Sequence, residues 1–449
     1  MRCTVIGAGK SGIAAAQLAQ ALGYKVFVTE SAPAERYPAL EYLRQSGIEF
    51  ECGGHTLERA LEADLIVSSP GIPPSAPILH AARNANIELI GELEFSSRFA
   101  HAPIIAITGT NGKTTTTALT AHILRSGGYD AIACGNNGLP LSQVIAEDLA
   151  NRPSRRVYVV EASSYQLSQT VQFHPVVAAI LNITPDHLAY HGSMDNYVQA
   201  KWKIFQNQTP NDVLILCADD PRAAEASHYA QSRIEWFGLH PVAAGMYANT
   251  TESSIVLVSS NTEVKLMRYT DLPVRGIHNV YNSMAAALAA RAMEVTNENI
   301  RDSLLSFTGV EHRLEHVRFV GGIEYINDSK ATNVNATWYA LQAFEQPIVL
   351  LLGGQADNND YSVLDDLVRQ QCRCIVCFGQ EAQHIFDHFC TSVRCYRTDT
   401  LEEAVTIAHS VAYPGDIVLL SPACKSFDEF INFEHRGSVF KEAVYRLPG

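Results

Sequence analysis

Ile104-Ile105-Ala106-Ile107-Thr108-Gly109-Thr110-Asn111-Gly112-Lys113-Thr114-Thr115 is the stretch from which the rest of the chain can be read. Its apolar run predicts a buried strand, and the residues after it predict a loop opening a helix that ends near Gly127-Gly128. Such a loop can aim backbone N–H groups at phosphate oxygens, provided glycines let the backbone come close. Gly109 and Gly112 meet that need, Lys113 adds a cation for the β- and γ-phosphates, and Thr114 and Thr115 add hydroxyls for Mg²⁺. Ile107 stands where the common eight-residue pattern has its first glycine, so the loop is a shortened one. Its expected ligand is ATP.

Working outward, short β-branched runs alternate with helical patterns on both sides, which predicts α/β units built on parallel sheets. Before the loop, strands are expected at Thr4-Val5-Ile6, Lys25 to Thr29, Leu65-Ile66-Val67 and Ile87 to Ile90, with a helix from Ser11 to Leu22. After it, strands are expected at Val157 to Val160, Val176 to Leu181 and Val213 to Leu216. Ile255 to Tyr269 reads as antiparallel strands, and Asn279 to Ala292 as a helix. A last unit holds strands at Ile323 to Ile326, Ile348 to Leu352, Cys374 to Phe378 and Ile417 to Leu420. Domains are expected over residues 1–95, 96–309 and 310–449.

The whole-chain properties agree with this division. A length of 449 residues is too great for one ordinary core. With 47% hydrophobic and 18% charged residues the chain reads as globular, and a net charge of −14 argues against nucleic-acid binding. No apolar stretch is long enough to span a bilayer and no signal peptide opens the chain, so a cytoplasmic protein without membrane partners is expected. The ten cysteines lie mostly in apolar runs. Cys372-x-Cys374-x-x-Cys377, flanked by Ile375, Val376 and Phe378, is read as a buried strand rather than a metal site.

Several other positions carry chemistry. Gly7-Ala8-Gly9-Lys10-Ser11-Gly12 matches the dinucleotide fingerprint, with Glu30 at the spacing of a ribose-binding acid. Alone it suggests a nicotinamide-dependent oxidoreductase, but the same cradle suits the diphosphate of a sugar nucleotide. Glu161 and the run Asn182-Ile183-Thr184-Pro185-Asp186-His187 fall at strand ends, where a carboxylate and an imidazole can reach Mg²⁺. By sequence alone, Lys201 and Lys203 read as two solvated lysines on a helical stretch.

Taken in order, Gly109 to Thr115, Glu161-x-Ser163-Ser164, Asn182-x-Thr184-x-Asp186-His187, His312-Arg313-x-Glu315 and Asn327-Asp328-Ser329-Lys330-Ala331-Thr332-Asn333 resemble the Mur ligase family across essentially the whole chain. These are the ATP-dependent amino-acid-adding enzymes of peptidoglycan synthesis. Ser69-Pro70-Gly71-Ile72, Gly135-Asn136-Asn137-Gly138-Leu139-Pro140, Leu420-Ser421-Pro422-Ala423-Cys424 and Phe433-Glu434-x-Arg436-Gly437-x-x-Phe440 resemble the branch that adds D-glutamate to UDP-N-acetylmuramoyl-L-alanine.

The resemblance implies an α/β fold of three consecutive domains: an N-terminal Rossmann-like doubly wound parallel sheet, a central P-loop ATPase-like α/β domain and a C-terminal Rossmann-like α/β domain. It implies a monomer, two Mg²⁺ ions and an acyl-phosphate intermediate. Lys113, Glu161, His187 and Lys201 become the expected catalytic groups. Thr114 and Glu161 would hold one ion, and His187 the second with a carbamylated Lys201, which reverses the bland reading of that lysine. ATP would lie on Gly109, Thr110, Asn111, Gly112, Lys113, Thr114 and Thr115, with Asn279, Asn282, Arg313 and Asp328. The UDP-substrate would meet Ser11, Glu30, Ser31, Gly71, Asn136 and His187, and D-glutamate would meet Lys330, Thr332, Ser426 and Phe433. Two departures stand out. Leu188-Ala189-Tyr190-His191 replaces the usual Leu-Asp-Arg-His, and no basic residue follows Gly353-Gly354 in Gln355 to Asp360. Alternative readings are a folylpolyglutamate synthetase-like amide ligase, the oxidoreductase, or a nucleotide-regulated binding protein.

Overall fold

The computed structural model describes residues 1–37, 40–259, 262–355 and 359–448. Two compact units emerge, one of Met1–Leu272 with Val280–Phe307 and one of Pro273–Asn279 with Thr308–Gly449.

The first unit contains two sheets among its described residues. Strands β1 (Arg2–Ile6), β2 (Lys25–Glu30), β3 (Glu49–Cys52), β4 (Leu65–Ser68) and β5 (Glu88–Gly91) pair in parallel in the order β3-β2-β1-β4-β5. The order reverses between β1 and β4, and the divergence of the flanking connections opens a crevice at the strand carboxyl ends. The second sheet has nine strands: β6 (Ile104–Thr108), β7 (Asp130–Gly135), β8 (Arg156–Glu161), β9 (Val177–Ile180), β10 (Val213–Cys217), β11 (Arg233–Gly238), β12 (Gly245–Asn249), β13 (Ser254–Ser259) and β14 (Thr262–Arg268). Its order is β14-β13-β12-β11-β10-β9-β6-β8-β7, antiparallel at β12/β13 and β13/β14 and parallel elsewhere. β6 has all five residues buried, as expected of a strand covered by helices on both faces. The two sheets are tied by the buried Glu94 carboxylate, which accepts the N–H groups of Val171, Gln172 and Phe173.

The second unit contains β15 (Glu315–Val320), β16 (Ile323–Asn327), β17 (Ile348–Gly353), β18 (Cys372–Phe378), β19 (Arg394–Arg397) and β20 (Ile417–Ala423), in the order β15-β16-β20-β17-β18-β19. Only β15/β16 is antiparallel among these pairs. Cys374 and Cys377 are buried in β18 among the core residues, as the reading of that run as a strand expects. This is the mixed α/β architecture expected from the sequence. The expected strand of Val176 to Leu181 is trimmed to β9, while β3, β7, β11, β12, β15 and β19 were not anticipated. Half-exposed strands such as β3 and β19 bury too few side chains to give a strong apolar signal.

Candidate active site

β6 delivers the chain into Gly109-Thr110-Asn111-Gly112, and the helix Lys113–Ser126 begins at once. Gly112 has φ +84°, and a Cβ there would lie 2.3 Å from Asn282 Oδ1. A side chain is therefore excluded by both backbone conformation and space. Gly112 stands at the N-cap of this helix and makes no side-chain cap hydrogen bond. Asn182, just past β9, braces the loop: its Oδ1 accepts the Asn111 N–H at 2.8 Å, its Nδ2 donates to the Asn111 carbonyl at 3.1 Å, and its carbonyl accepts the Thr110 N–H at 2.9 Å. Thr110 Oγ1 lies 3.0 Å from both the Thr184 carbonyl and the Tyr197 hydroxyl.

Glu161 ends β8 and stands between Ile107 of β6 and Gly135 of β7 in the sheet. Its Oε2 accepts from Thr114 Oγ1 at 2.7 Å, and its Oε1 from Asn136 Nδ2 at 3.0 Å. A Cβ at Gly135 would come within 2.3 Å of the Glu161 carbonyl, so glycine is what lets β7 bring Asn136 this close. Two oxygens bound at neighbouring positions of an octahedral Mg²⁺ stand about 2.9 Å apart. The Thr114–Glu161 spacing and its hard oxygen donors fit such an ion.

Lys201 lies in the helix Met194–Trp202 and is only 1% exposed. The solvated reading of this lysine is thereby corrected: the helix turns it inward, where Nζ donates to the Gly109 carbonyl at 2.8 Å and lies 4.7 Å from the centre of the Tyr197 ring. Lys113 Nζ donates to the same carbonyl at 2.9 Å and to that of Thr110 at 2.8 Å. Burial first, and the neighbouring Lys113 ammonium second, drive the Lys201 pKa well below its ordinary 10.5. Lys203 is not simply solvated either, since its Nζ donates to the Ser168 and Thr170 carbonyls.

His187 adopts φ +53° and opens the short helix Leu188–His191. Its Nδ1 lies 3.4 Å from Asp186 Oδ1, and its ring packs on Tyr165 at 4.9 Å between centroids. Tyr190, one of the two departures in this segment, packs edge-on against Tyr165 at 4.3 Å. His191 Nε2 lies 3.0 Å from Ser164 Oγ, and burial, His187 and Lys201 all lower its pKa.

In the N-terminal sheet, a cavity of about 580 Å³ is lined by Gly7, Glu30, Ser31, His55, Gly71 and Ile72, among others. The sequence expectations for Glu30, Ser31 and Gly71 thus meet in one crevice, while Ser11, in the first turn of the helix Lys10–Ala21, lies outside that lining. Glu30 accepts the N–H groups of Ala8 at 2.8 Å and Ala32 at 2.9 Å, and the Ser31 hydroxyl at 3.2 Å. Burial works against its charge, but these bonds prevail and hold its pKa below the usual value.

Of the remaining candidates, Asn282 belongs to the first unit and accepts from Thr116 Oγ1 at 3.2 Å. Asn279, Arg313 and Asp328 belong to the second unit. Asn279 Nδ2 donates to the Arg275 carbonyl at 2.7 Å. Asp328 is buried past the end of β16, where its carboxylate accepts from Ser421 Oγ at 2.9 Å and from the Leu314 N–H at 3.3 Å. Burial pushes its pKa up to about 7, against the opposing influence of Arg313. Lys330 Nζ sits 5.6 Å from the Phe433 ring centre, the Thr332 N–H donates to the Lys330 carbonyl, and Ser426 is buried past β20. Residues 356–358 of the stretch without a basic residue lie outside the described residues.

Sequence reasoning gave Asn182 and Arg436 no role as site residues. Arg436, in the helix Phe433–Tyr445, is fully buried. It donates to Ser329 Oγ and the Ser329 carbonyl at 3.1 and 2.8 Å, and to the carbonyls of Cys424 and Lys425 at 3.0 and 3.2 Å. Burial brings its pKa down to about 10. Helical spacing places an arginine on a face but does not foretell that backbone carbonyls will receive it.

A shortened phosphate loop joined to a buried lysine, with a carboxylate and hydroxyl set for a cation, defines a class of ATP-using α/β enzymes. Residues 107–290 match the Mur ligase middle domain, residues 1–91 the Mur ligase MurD-like N-terminal domain, and residues 312–424 the Mur ligase glutamate ligase domain. The chain belongs to the Mur ligase family. It is 45% identical to a UDP-N-acetylmuramoylalanine--D-glutamate ligase of Salinibacter ruber, covering 99% of this chain and 98% of that protein. A protein of the same name from Acidobacterium capsulatum is 42% identical, with 98% and 95% covered. In fold it resembles MurF from Acinetobacter baumannii, with a TM-score of 0.64 and 20% identity over 96% of this chain and 98% of that one.

Proposed function

We propose that this protein is an ATP-dependent ligase that joins D-glutamate to UDP-N-acetylmuramoyl-L-alanine in peptidoglycan precursor synthesis. The geometric observation that carries the reading is the meeting of Lys113 and Lys201 at the Gly109 carbonyl, near Thr114 and Glu161. The full-length relatives of that name support the same assignment. The folylpolyglutamate synthetase and oxidoreductase readings are not favoured, because the relatives match along the whole chain, including its first 91 residues.

In this reading the loop N–H groups and Lys113 hold the ATP phosphates while the alanyl carboxylate attacks the γ-phosphorus. The γ-phosphoryl bond to ADP breaks as the acyl phosphate forms. The D-glutamate amine then adds to the acyl carbon, phosphate leaves, and the amide nitrogen loses a proton. Such transfer relies mainly on positioning and charge neutralisation. Thr114 and Glu161 would hold one Mg²⁺ and His187 with Lys201 a second, and such ions would supply charge neutralisation at the phosphates. A lysine whose pKa is depressed carries a neutral amine, which can add to CO₂ and release a proton to give a carbamate. The carbamate at Lys201 would turn a poor Mg²⁺ donor into an oxygen ligand.

The UDP-substrate is assigned to Ser11, Glu30, Ser31, Gly71, Asn136 and His187, and the adenosine side of ATP to Asn279, Asn282, Arg313 and Asp328. Lys330, Thr332, Ser426 and Phe433 are assigned to D-glutamate. The domain division at residues 1–95, 96–309 and 310–449, a monomeric state and a cytoplasmic location belong to the same proposal. The test is ADP release across a substrate panel. Release is expected only with UDP-N-acetylmuramoyl-L-alanine and D-glutamate together, and equal turnover with L-glutamate would sink the assignment.

A further inference from the structure

In the N-terminal sheet, the turn after β3 closes on the exit of β2. The Gly53 N–H donates to the Ala32 carbonyl at 3.0 Å, and the Gly54 N–H to the Glu30 carbonyl at 3.3 Å. The next residue, His55, lines the same cavity of about 580 Å³ as Glu30 and Ser31. Leu57, Ile72 and Pro73 give that cavity apolar walls. Apolar walls with a few fixed polar groups suit a planar ring whose edge is read by hydrogen bonds.

The imidazole of His55 is held in one tautomer. Thr29, fully buried in β2, is the register partner of Glu51 in β3. Its Oγ1 lies 2.7 Å from both Glu51 Oε1 and His55 Nδ1. Glu51 Oε1 also accepts the Thr56 N–H at 2.9 Å. Burial opposes the charge of Glu51, but the hydrogen bonds from Thr56 and Thr29 prevail and hold its pKa below the ordinary value. It is therefore a carboxylate, which can only accept. The single Thr29 hydroxyl proton goes to Glu51, so the Thr29 oxygen accepts from His55 Nδ1–H. The neutral ring then keeps its lone pair on Nε2, at the outer end of the side chain. Among the described residues Nε2 makes no hydrogen bond. Uracil complements such an acceptor, because its N3 carries a hydrogen. Cytosine does not, because its N3 is itself an acceptor. We propose that His55 is a specificity-determining residue for the nucleobase: its Nε2 accepts the N3–H of the uracil of the UDP-substrate. Thr29 and Glu51 are the positioning residues that fix its tautomer. The assignment rests on the UDP-substrate reading given above.

Titration calorimetry of the full-length protein with UDP, CDP and ADP tests it, in wild type and in His55→Ala, His55→Gln and Thr29→Val. Wild type is expected to bind UDP about tenfold or more tightly than CDP. His55→Ala should lose about tenfold in UDP affinity while CDP stays within about threefold, so the preference collapses. His55→Gln, whose amide oxygen can still accept, should keep part of the preference. Thr29→Val keeps the buried shape but leaves the tautomer unset, so the preference should narrow while ADP affinity stays within about twofold of wild type. Wild type with equal affinity for UDP and CDP, or with none for either, overturns the assignment. A His55→Ala protein that retains the wild-type preference overturns it too. If His55→Ala loses ADP binding as well, Thr29→Val decides, and an undiminished preference there overturns the proposal. A uracil preference that depends on His55, in a protein without D-glutamate-dependent ADP release, upholds this assignment and overturns the ligase reading. D-Glutamate-dependent ADP release by a protein indifferent to the base overturns this assignment alone.

Discussion

Lys201 illustrates how burial sets chemistry at a single residue. A buried amine beside another ammonium is held largely against its own solvation. Lys201→Met keeps the apolar stem and removes that burden, while Lys113 still donates to the Gly109 carbonyl. The expected result is a thermal midpoint raised by about 2 °C with activity reduced by about a hundredfold or more. Lys201→Ala should be equally inactive but partly rescued by a short carboxylic acid, which the bulkier methionine would block. Calorimetry and an ADP-release assay check both variants; full activity in either would rule out the carbamate role. The sequence alone favours a solvated lysine here, because the register that turns Lys201 inward is set by the loop and tyrosine it packs against.

Among the elements, the first glycine-rich turn separates two roles that the motif lumps together. A Cβ at Gly12 would lie 1.9 Å from the Gly7 carbonyl oxygen, where the helix Lys10–Ala21 packs on the end of β1. At Gly9, with φ −71°, nothing lies within 4 Å. Gly12→Ala is therefore expected to destabilise the protein by about 2 kcal/mol or more, and Gly9→Ala by less than about 1 kcal/mol. Chemical denaturation of both variants decides it, and equal losses would refute the distinction. Elements of this kind were legible from sequence: β6, β8, β17 and β20 carry dense apolar runs, and Gly112 declares a left-handed turn. The brace of Asn182 and the fastening by Arg436 were not, because both depend on partners remote in sequence. The clustering of Thr114 with Glu161 was anticipated, because a loop hydroxyl and a carboxylate at a strand end were both expected to reach Mg²⁺.

For the molecule as a whole, two buried groups, one in each compact unit, should respond to pH with opposite signs. In the first, Lys201 loses its proton more easily when folded than when unfolded. Between its lowered pKa and 10.5 the unfolded chain holds the extra proton, so this contribution to stability grows as pH rises. In the second, Asp328 is raised from 3.8 to about 7. Over that interval the folded unit holds the extra proton, so its contribution is full below pH 3.8 and is lost as pH rises through about 7. Glu429, also raised to about 7, adds the same sign in wild type and variant alike and cancels from their difference. Relative to wild type, Asp328→Asn should gain stability on the order of 2 kcal/mol between pH 4 and pH 8. Urea unfolding at both pH values measures this, and a pH-independent difference would contradict the burial of a carboxylic acid at this position.

Arg436 also imposes an order in time. The helix that carries it leaves the ribosome after β16, β17 and β20, whose exit loops it fastens through Ser329, Cys424 and Lys425. A nascent chain can complete its phosphate loop many residues earlier, because domains begin to fold as they emerge. The pocket assigned to the incoming amino acid has no such head start. Its walls stay unbolted until this last helix docks, so translation itself postpones the joining chemistry until the scaffold around it is built.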